Sequence, residues 1–107
     1  MANEFTNAQK VGVTTVQTVY TAPAGKTCIM LELDIANTTT NVVEASVQIF
    51  DTSGSTSAYI VKNAPVPAGG SLMVIAGQKI VLDATDIVKV TATGAVDVVA
   101  AILEDVN

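Results

Sequence analysis

Residues 27–37, TCIMLELDIAN, carry a large aliphatic side chain at every second position. Successive side chains of a β-strand point to opposite faces, so this period of two predicts a strand with one face in a core. The side chains predicted to point inward are Ile29, Leu31, Leu33 and Ile35. Those predicted to point outward are Cys28, Met30, Glu32 and Asp34.

The same period recurs along the rest of the chain, most clearly over Val43 to Phe50. Further strands are predicted over residues 11–21, 57–63, 71–76, 78–82, 86–92 and 95–104. These segments are rich in Val and Thr, whose branched side chains pack well on a pleated surface. A slip of phase between Val13 and Val16 predicts a bulge near Thr14 or Thr15.

Short strands at this spacing, joined by turn-forming residues, are typical of an all-β protein. We predict one antiparallel β-sandwich domain of about eight strands over residues 11–107, with jelly-roll or immunoglobulin-like topology. Two similar motifs, residues 22–25 (APAG) and 66–69 (VPAG), each precede a strand. Pro at the second position and Gly at the fourth favour type I turns. The repeat fits two Greek-key halves of a jelly roll, and it fits equally well a turn that is simply common.

The composition argues against catalysis and against nucleic acid as a partner. Of the 107 residues, 50% are hydrophobic, 14% are charged and 4% are aromatic, and the net charge is −5. The chain has no His and no Arg, so it lacks the most frequent general base and a strong phosphate ligand. We therefore expect no enzymatic activity, no cofactor and no nucleic-acid binding.

Three groups of residues could carry chemistry, and each has a simpler structural explanation. Glu32 and Asp34 share a strand face at a separation of about 6.5–7 Å. That spacing suits acid–base work on sugars, but the aromatic platforms of a sugar site are scarce. Asp83 and Asp86 flank a turn, supply too few oxygen atoms for Ca²⁺ and are expected to bond their own backbone. Cys28 has no base beside it and is expected to be an inert thiol, and no metal site is expected.

The outward-facing positions carry more apolar residues than a solitary domain of this size should expose. In residues 95–104, Asp97 marks the outer side, and two large apolar side chains share that side. With few charged residues to coat a free surface, such positions favour a subunit interface. The alternative is that a loop or a second sheet of the same domain covers them. The predicted interface residues are Phe5, Cys28, Met30, Phe50, Val99 and Leu103.

The N-terminal residues 1–10 are polar except for Phe5, and they include Glu4 in place of a long apolar run. We expect no secretory signal, and no apolar run of the chain approaches the roughly 20 residues that cross a bilayer as a helix. The expectation is a protein that folds in a cytoplasm without a membrane anchor. Residues 1–10 are predicted to form an arm that orders on a neighbouring subunit, with Phe5 as its anchor.

Three sets of motifs together resemble a known group of proteins. They are VYTAPAGKT (19–27) with NTT (37–39), VPAGGSL (66–72) with KIVL (79–82) and Asp86, and VDVV (96–99) with ILE (102–104). In these motifs the chain resembles small β-sandwich structural proteins of tailed bacteriophage virions, found among head-decoration, neck and tail-associated proteins. Such proteins often have Gly-Asp where this chain has Thr85-Asp86.

The resemblance implies a non-enzymatic virion component that is repeated many times on a symmetric particle. Its most specific form is a capsid decoration or cement protein: a small homo-oligomer, expected to be a trimer, that bridges subunits of the major capsid protein on the outer shell. One alternative is a neck, collar or tail-associated protein. Another, from a different class, is a carbohydrate-binding module for host attachment. The expected location is the virion, assembled in the host cytoplasm.

Overall fold

The computed structural model describes residues 3–106, which form eight β-strands joined by short turns. The strands are β1 (Glu4–Val13), β2 (Gln17–Thr21), β3 (Cys28–Asn37), β4 (Val43–Asp51), β5 (Thr56–Val66), β6 (Ser71–Leu82), β7 (Ile87–Ala92) and β8 (Val96–Glu104). Residues 1, 2 and 107, which belong to the predicted arm and to the predicted domain, lie outside the described part of the chain.

The strands form two four-stranded sheets, and the predicted all-β antiparallel sandwich is confirmed. The first sheet has the order β1-β8-β3-β6 and the second sheet has the order β2-β7-β4-β5. The pairs β1·β8, β2·β7, β3·β6 and β4·β5 are all antiparallel. The chain is thus one long two-stranded ribbon that turns back between β4 and β5 and then rolls up, which is the jelly-roll arrangement. Rolling brings β3 beside β8 and β4 beside β7.

Two of the predicted strand boundaries are corrected by the sheets. Residues 11–21 are not one strand, because the chain leaves the first sheet after Val13 and enters the second at Gln17. The phase slip predicted as a bulge near Thr14 marks this crossing. Residues 71–76 and 78–82, in contrast, belong to one strand, β6. They are separated by Gly77, whose φ of +111° bends the strand without ending it.

The strand β3 contains an extra residue, and it reverses part of the predicted pattern. The register with both β6 and β8 shifts between Met30 and Glu32, so Leu31 has no partner on either side. A single extra residue moves the side chains on one side of it to the opposite face. Cys28 and Met30 are therefore in the core at 0% exposure, and their predicted outward orientation is wrong. Ile29 and Leu31, predicted to point inward, are half-buried instead.

The core lies between the sheets and is aliphatic. In β8 the side chains that the alternation predicts to point inward are all buried, which confirms the prediction. They are Val96, Val98, Ala100 and Ile102. The largest fully buried side chains are Met30, Leu33, Ile35, Ile75, Leu82 and Ile102. Burial of each such side chain stabilises the fold by roughly 1.5–3 kcal/mol relative to exposure, so hydrophobic packing holds the sheets together.

Asn37 is one of the few buried polar residues, and it joins two corners of the rolled ribbon. Its Nδ2 donates to the carbonyl of Asn41 at 2.7 Å and to the carbonyl of Val66 at 3.0 Å. Its Oδ1 accepts from the backbone N–H of Thr39 at 2.8 Å. The side chain thus ties the β3–β4 corner to the end of β5, and its own backbone N–H donates to the Gly70 carbonyl in the β5–β6 corner.

Asp86 does the same for the opposite corners. Its carboxylate accepts from the backbone N–H of Asp83 at 3.1 Å and from that of Thr52 at 3.2 Å. The turn between β6 and β7 therefore satisfies its own backbone, as predicted, and it also holds the β4–β5 hairpin loop. The backbone of Ala22, in the β2–β3 corner, bonds with Asp86 and Thr85.

The two Pro-Ala-Gly motifs form the same kind of turn, but not the predicted kind. The Pro23 carbonyl accepts from the N–H of Lys26, and the Pro67 carbonyl accepts from that of Gly70. Gly25 and Gly69 have φ of +75° and +70°, and they occupy the third position of their turns. A positive φ at the third position alone defines type II, so the prediction of type I turns with Pro in second place is wrong.

The Asn37 bonds predict a selective loss of stability. Asn37→Ala leaves two carbonyls and one N–H at the corner without their side-chain partner, so we expect the free energy of unfolding to fall by about 1–3 kcal/mol. Asn41→Ala is the matched control, because the bonds at Asn41 are formed by its backbone. Urea unfolding of both variants measures the difference, and equal midpoints would contradict this role of Asn37.

Candidate functional site

The outer side of the first sheet carries a row of four apolar side chains, one from each strand. Phe5 pairs with Leu103, Leu103 with Ile29, and Ile29 with Val81. Residues that pair directly across antiparallel strands point to the same face, so these four side chains form one continuous band. We call this band the apolar row. No polar residue interrupts it from one edge of the sheet to the other.

Two further rows follow beside the apolar row. They are Asn7-Ala101-Glu32-Ala76 and Gln9-Val99-Asp34-Met73, each in the strand order β1-β8-β3-β6. Together, the three rows are called the outer face below. Several of its side chains are open to solvent: Phe5 is 77% exposed, Met73 67%, Val81 62% and Val99 47%. Large apolar side chains that lie together on a free surface are the usual mark of an interaction site.

An acidic pair lies in the middle of this face. Glu32 and Asp34 stand on the internal strand β3, with Ala101 and Val99 on one side and Ala76 and Met73 on the other. The prediction that the two carboxylates share a strand face is confirmed. Within residues 3–106, neither has a lysine at ion-pair distance.

The neighbouring Asp34 disfavours ionisation of Glu32. The hydrogen bond that Glu32 shares with Asp34 raises the pKa of Glu32 above its ordinary value of 4.5, and the negative charge of Asp34 adds to the effect. The Oδ1 atom of Asp34 is buried and has no hydrogen-bond partner. A buried carboxylate oxygen without a donor is unfavourable.

The predicted interface residues fall into three places. Phe5, Val99 and Leu103 lie on the outer face, as the alternation predicts for the two residues of β8. Cys28 and Met30 lie in the core and are unavailable to a partner. Phe50 lies on the outside of the second sheet, where it pairs with Ile87 and Ser57 and is half-buried. Sequence reasoning missed Ile29, Met73 and Val81, whose common face depends on cross-strand register.

Most of residues 1–10, the predicted N-terminal arm, forms a β-strand in the structure. Residues 4–10 form the regular part of β1 and pair with β8 of the same chain. Phe5 is the most exposed large apolar side chain of the described residues, and it stands at the end of the apolar row. Whether residues 1–10 also contact a neighbouring subunit stays a prediction.

The outside of the second sheet has a different character. Lys89 lies with its Nζ 5.1 Å from the ring centre of Phe50, and Lys62 lies at the same distance over Tyr59. The side chain of Gln48, which pairs with Lys89 and Tyr59, lies between these two groups. Each of the two aromatic rings is thus covered by a lysine side chain, and the outside of the second sheet has no row of apolar side chains.

Tyr20 links the two sheets at the end of the sandwich where β8 ends. Its hydroxyl donates to Oε2 of Glu104, and it lies 3.5 Å from Sγ of Cys28. Burial raises the pKa of Tyr20 well above its ordinary value of 10.0, and the hydrogen bond to Glu104 raises it further. The cluster keeps a neutral phenol against a buried thiol, and nothing in it activates either group as a nucleophile.

The described residues offer no other chemical centre. In residues 3–106, no three acidic or cysteine side chains converge on a point where a metal ion could be held, and the surface forms no pocket. The same part of the chain has no helix with the length and apolar character of a membrane span.

Comparisons with known proteins found no counterpart. No family model, no curated protein and no solved structure matches the chain.

The geometry of the acidic pair predicts an altered titration. Asp34→Asn removes the neighbouring charge, so we expect the pKa of Glu32 to fall towards 4.5, measured by NMR of the side-chain carboxyl carbon. Because the raised pKa belongs to the folded state, the stability due to Glu32 is complete at low pH and is lost as pH rises through that pKa. Glu44→Gln, on the second sheet, should leave the titration of Glu32 unchanged. An unchanged Glu32 titration in Asp34→Asn would contradict the coupling.

The Tyr20 cluster predicts a loss of stability in alkali. The unfolded chain releases the phenol proton near pH 10. The folded chain keeps that proton to higher pH, so its stability declines as pH rises above that value. Tyr20→Phe should lower stability at pH 7 by about 1–2 kcal/mol, since one hydrogen bond is lost, and should flatten the alkaline decline. Urea unfolding from pH 7 to 11 tests both, with Tyr59→Phe as control, and equal alkaline slopes in the two variants would refute the assignment.

Proposed function

We propose that this chain is a non-enzymatic structural protein that binds its neighbours in a tailed-phage virion through the outer face of the first sheet. The observation that carries the proposal is the apolar row, which crosses all four strands and is exposed at Phe5 and Val81. The resemblance of the turn and strand motifs to virion proteins supplies the biological setting. The most specific form of the proposal is a capsid decoration or cement protein.

The energetics favour binding at many equivalent points. Burial of four large apolar side chains such as Phe5, Leu103, Met73 and Val81 would contribute roughly 6–12 kcal/mol if each gives about 1.5–3. Association costs about 4–15 kcal/mol in lost freedom. The face alone therefore yields weak binding of one copy. A small homo-oligomer, with a trimer as the proposed form, would engage several capsid subunits at once and gain avidity without further contacts.

The charge of the chain is consistent with an exterior position. A net charge of −5 repels the packaged nucleic acid, whose contacts favour basic residues. In the proposed role, the domain adds buried area across seams between capsid subunits. It would thereby resist the outward pressure of the packaged genome. Its partners would be further copies of itself and the major capsid protein.

The outer face predicts which substitutions weaken binding to particles. Phe5→Ser and Met73→Ser should each lower the affinity of the purified chain for virions stripped of it by about tenfold or more, because one apolar contact is worth roughly 1.5 kcal/mol at least. Both side chains are largely exposed, so the urea midpoint should barely change.

Val42→Ser is the matched control, since Val42 is 64% exposed and lies in the β3–β4 corner, away from the outer face. Equal binding of all three variants and the unmodified chain would refute the assignment of the outer face. Deletion of residues 1–10 is also expected to weaken binding. The deletion also removes the strand residues that pair with β8, so Phe5→Ser tests the outer face more directly.

A neck, collar or tail-associated role is the alternative within the same structural class. It uses the same face, but in a ring on the particle axis. The copy number per virion separates the two roles, because decoration requires many copies and a ring requires few. Quantitative mass spectrometry of purified virions measures this number.

A carbohydrate-binding module for host attachment is the second candidate class. The observation in its favour is the pair of rings, Phe50 and Tyr59, on the outside of the second sheet. Sugars stack on open aromatic faces, whereas each of these rings has a lysine over it. A glycan array decides the matter: binding that Tyr59→Ala abolishes would favour this role, and absence of binding would remove it.

A further inference from the structure

We propose that the outer face docks on a protein surface that presents an arginine or lysine side chain within an apolar patch, and that this cation binds between Glu32 and Asp34. The inference rests on the proposed function for the identity of the partner as a neighbour in the particle. It adds the chemistry by which that neighbour is recognised.

The acidic pair is placed where a docked partner must cover it. Glu32 and Asp34 lie on an internal strand, one row and two rows from the apolar row, with apolar side chains on both sides. Any flat partner that covers the apolar row and Met73 also takes these carboxylates out of water. Burial of a charge without an opposite charge is strongly unfavourable, so the partner must supply one.

The two carboxylates show what kind of group the partner must supply. Glu32 is exposed and Asp34 is half-buried, whereas the Oδ1 atom of Asp34 is buried and out of reach of a docked side chain. A guanidinium has five N–H donors in a planar fork, and it can bond Asp34 while also reaching Glu32 two residues away. An ammonium supplies three donors and the same charge. Arginine is thus the better fit and lysine is sufficient.

A second copy of this chain fits the face poorly. In a symmetric pair the same patch meets itself, so two such faces would bring four carboxylates together. Of the five lysines, Lys62 and Lys89 cover rings on the second sheet and Lys26 pairs with Asp105 at 3.4 Å. The other two, Lys10 and Lys79, stand on β1 and β6, the edge strands of the first sheet. If the outer face of one copy packed on the second sheet of another copy, the contact would use opposite sides of the sandwich. Such a contact does not close and would build filaments.

A charge-reversed copy of the chain serves as the probe partner. The double variant E32K/D34K keeps the apolar row and places two ammonium groups where the carboxylates were. Mixed with the unmodified chain at pH 7 and low salt, it should form a one-to-one complex in sedimentation velocity, at least tenfold tighter than either protein with itself. Raising the salt concentration should dissociate the complex, because charge attraction is screened.

Two control variants separate the face from general charge attraction. E44K/D83K makes the same change in net charge, but Glu44 is on the second sheet and Asp83 is in the β6–β7 corner, and the side chains of both are free of hydrogen bonds in the described structure. E32Q/D34N removes the charge and keeps the apolar row. Neither should bind the unmodified chain as tightly as E32K/D34K. The single variant E32K, at an exposed position, replaces the double variant if D34K disturbs folding, as judged by circular dichroism.

Four results would overturn the inference. These are no complex with folded E32K/D34K or E32K, an equally tight complex with E44K/D83K, an equally tight complex with E32Q/D34N, and self-association of the unmodified chain that Met73→Ser abolishes. The last would make a second copy the occupant of the face. None of these results depends on virions, so the copy number per particle and the stripped-virion binding test the proposed function separately.

Discussion

The extra residue at Leu31 decides what both sides of the first sheet present. The strand β3 is internal and pairs with β6 and β8, so a shift in its register affects three strands at once. With Leu31 unpaired, Met30 fills the core and Ile29 completes the apolar row. If Leu31 took a regular place in the alternation instead, Cys28 and Met30 would share the outside with Glu32. Ile29 would then point into the core, and the apolar row would lose its third member. One added residue thus reconciles a packed interior with a continuous exterior band.

Two short polar side chains fix how the ribbon rolls. Hydrophobic packing presses the sheets together but does not determine where the chain turns from one to the other. Asn37 and Asp86 do so, because each satisfies backbone groups from two corners at once and is buried in the process. The corners are therefore specific, and the strands between them need only be aliphatic on one side. Because the polar side chains fix the corners and the aliphatic side chains fill the core, a chain so rich in Val and Thr adopts one topology.

Sequence patterns predicted those parts of the structure that depend on local alternation. The class of fold, the inward set of β8 and the role of the Asp83–Asp86 turn were all accessible, since each depends on side-chain period or on neighbours within a few residues. The orientation of Cys28 and the type of the Pro-Ala-Gly turns were not. The bulge at Leu31 is set by pairing with β6 and β8, which are distant in sequence, and the turns adopt type II because glycine takes a positive φ at the third position. The outer face was predicted in part, through Phe5, Val99 and Leu103. Its completion by Ile29, Val81 and Met73 required the cross-strand register.

The full burial of Cys28 has a consequence for the settings in which the molecule can persist. It is the only cysteine of the chain, and its side chain is 0% exposed beneath Tyr20. No disulfide holds the sheets, so a reducing environment removes nothing from their stability. The thiol is out of reach of oxidants and of other thiols, so an oxidising environment adds no covalent cross-link between copies. We therefore expect the same fold in reducing and in oxidising environments.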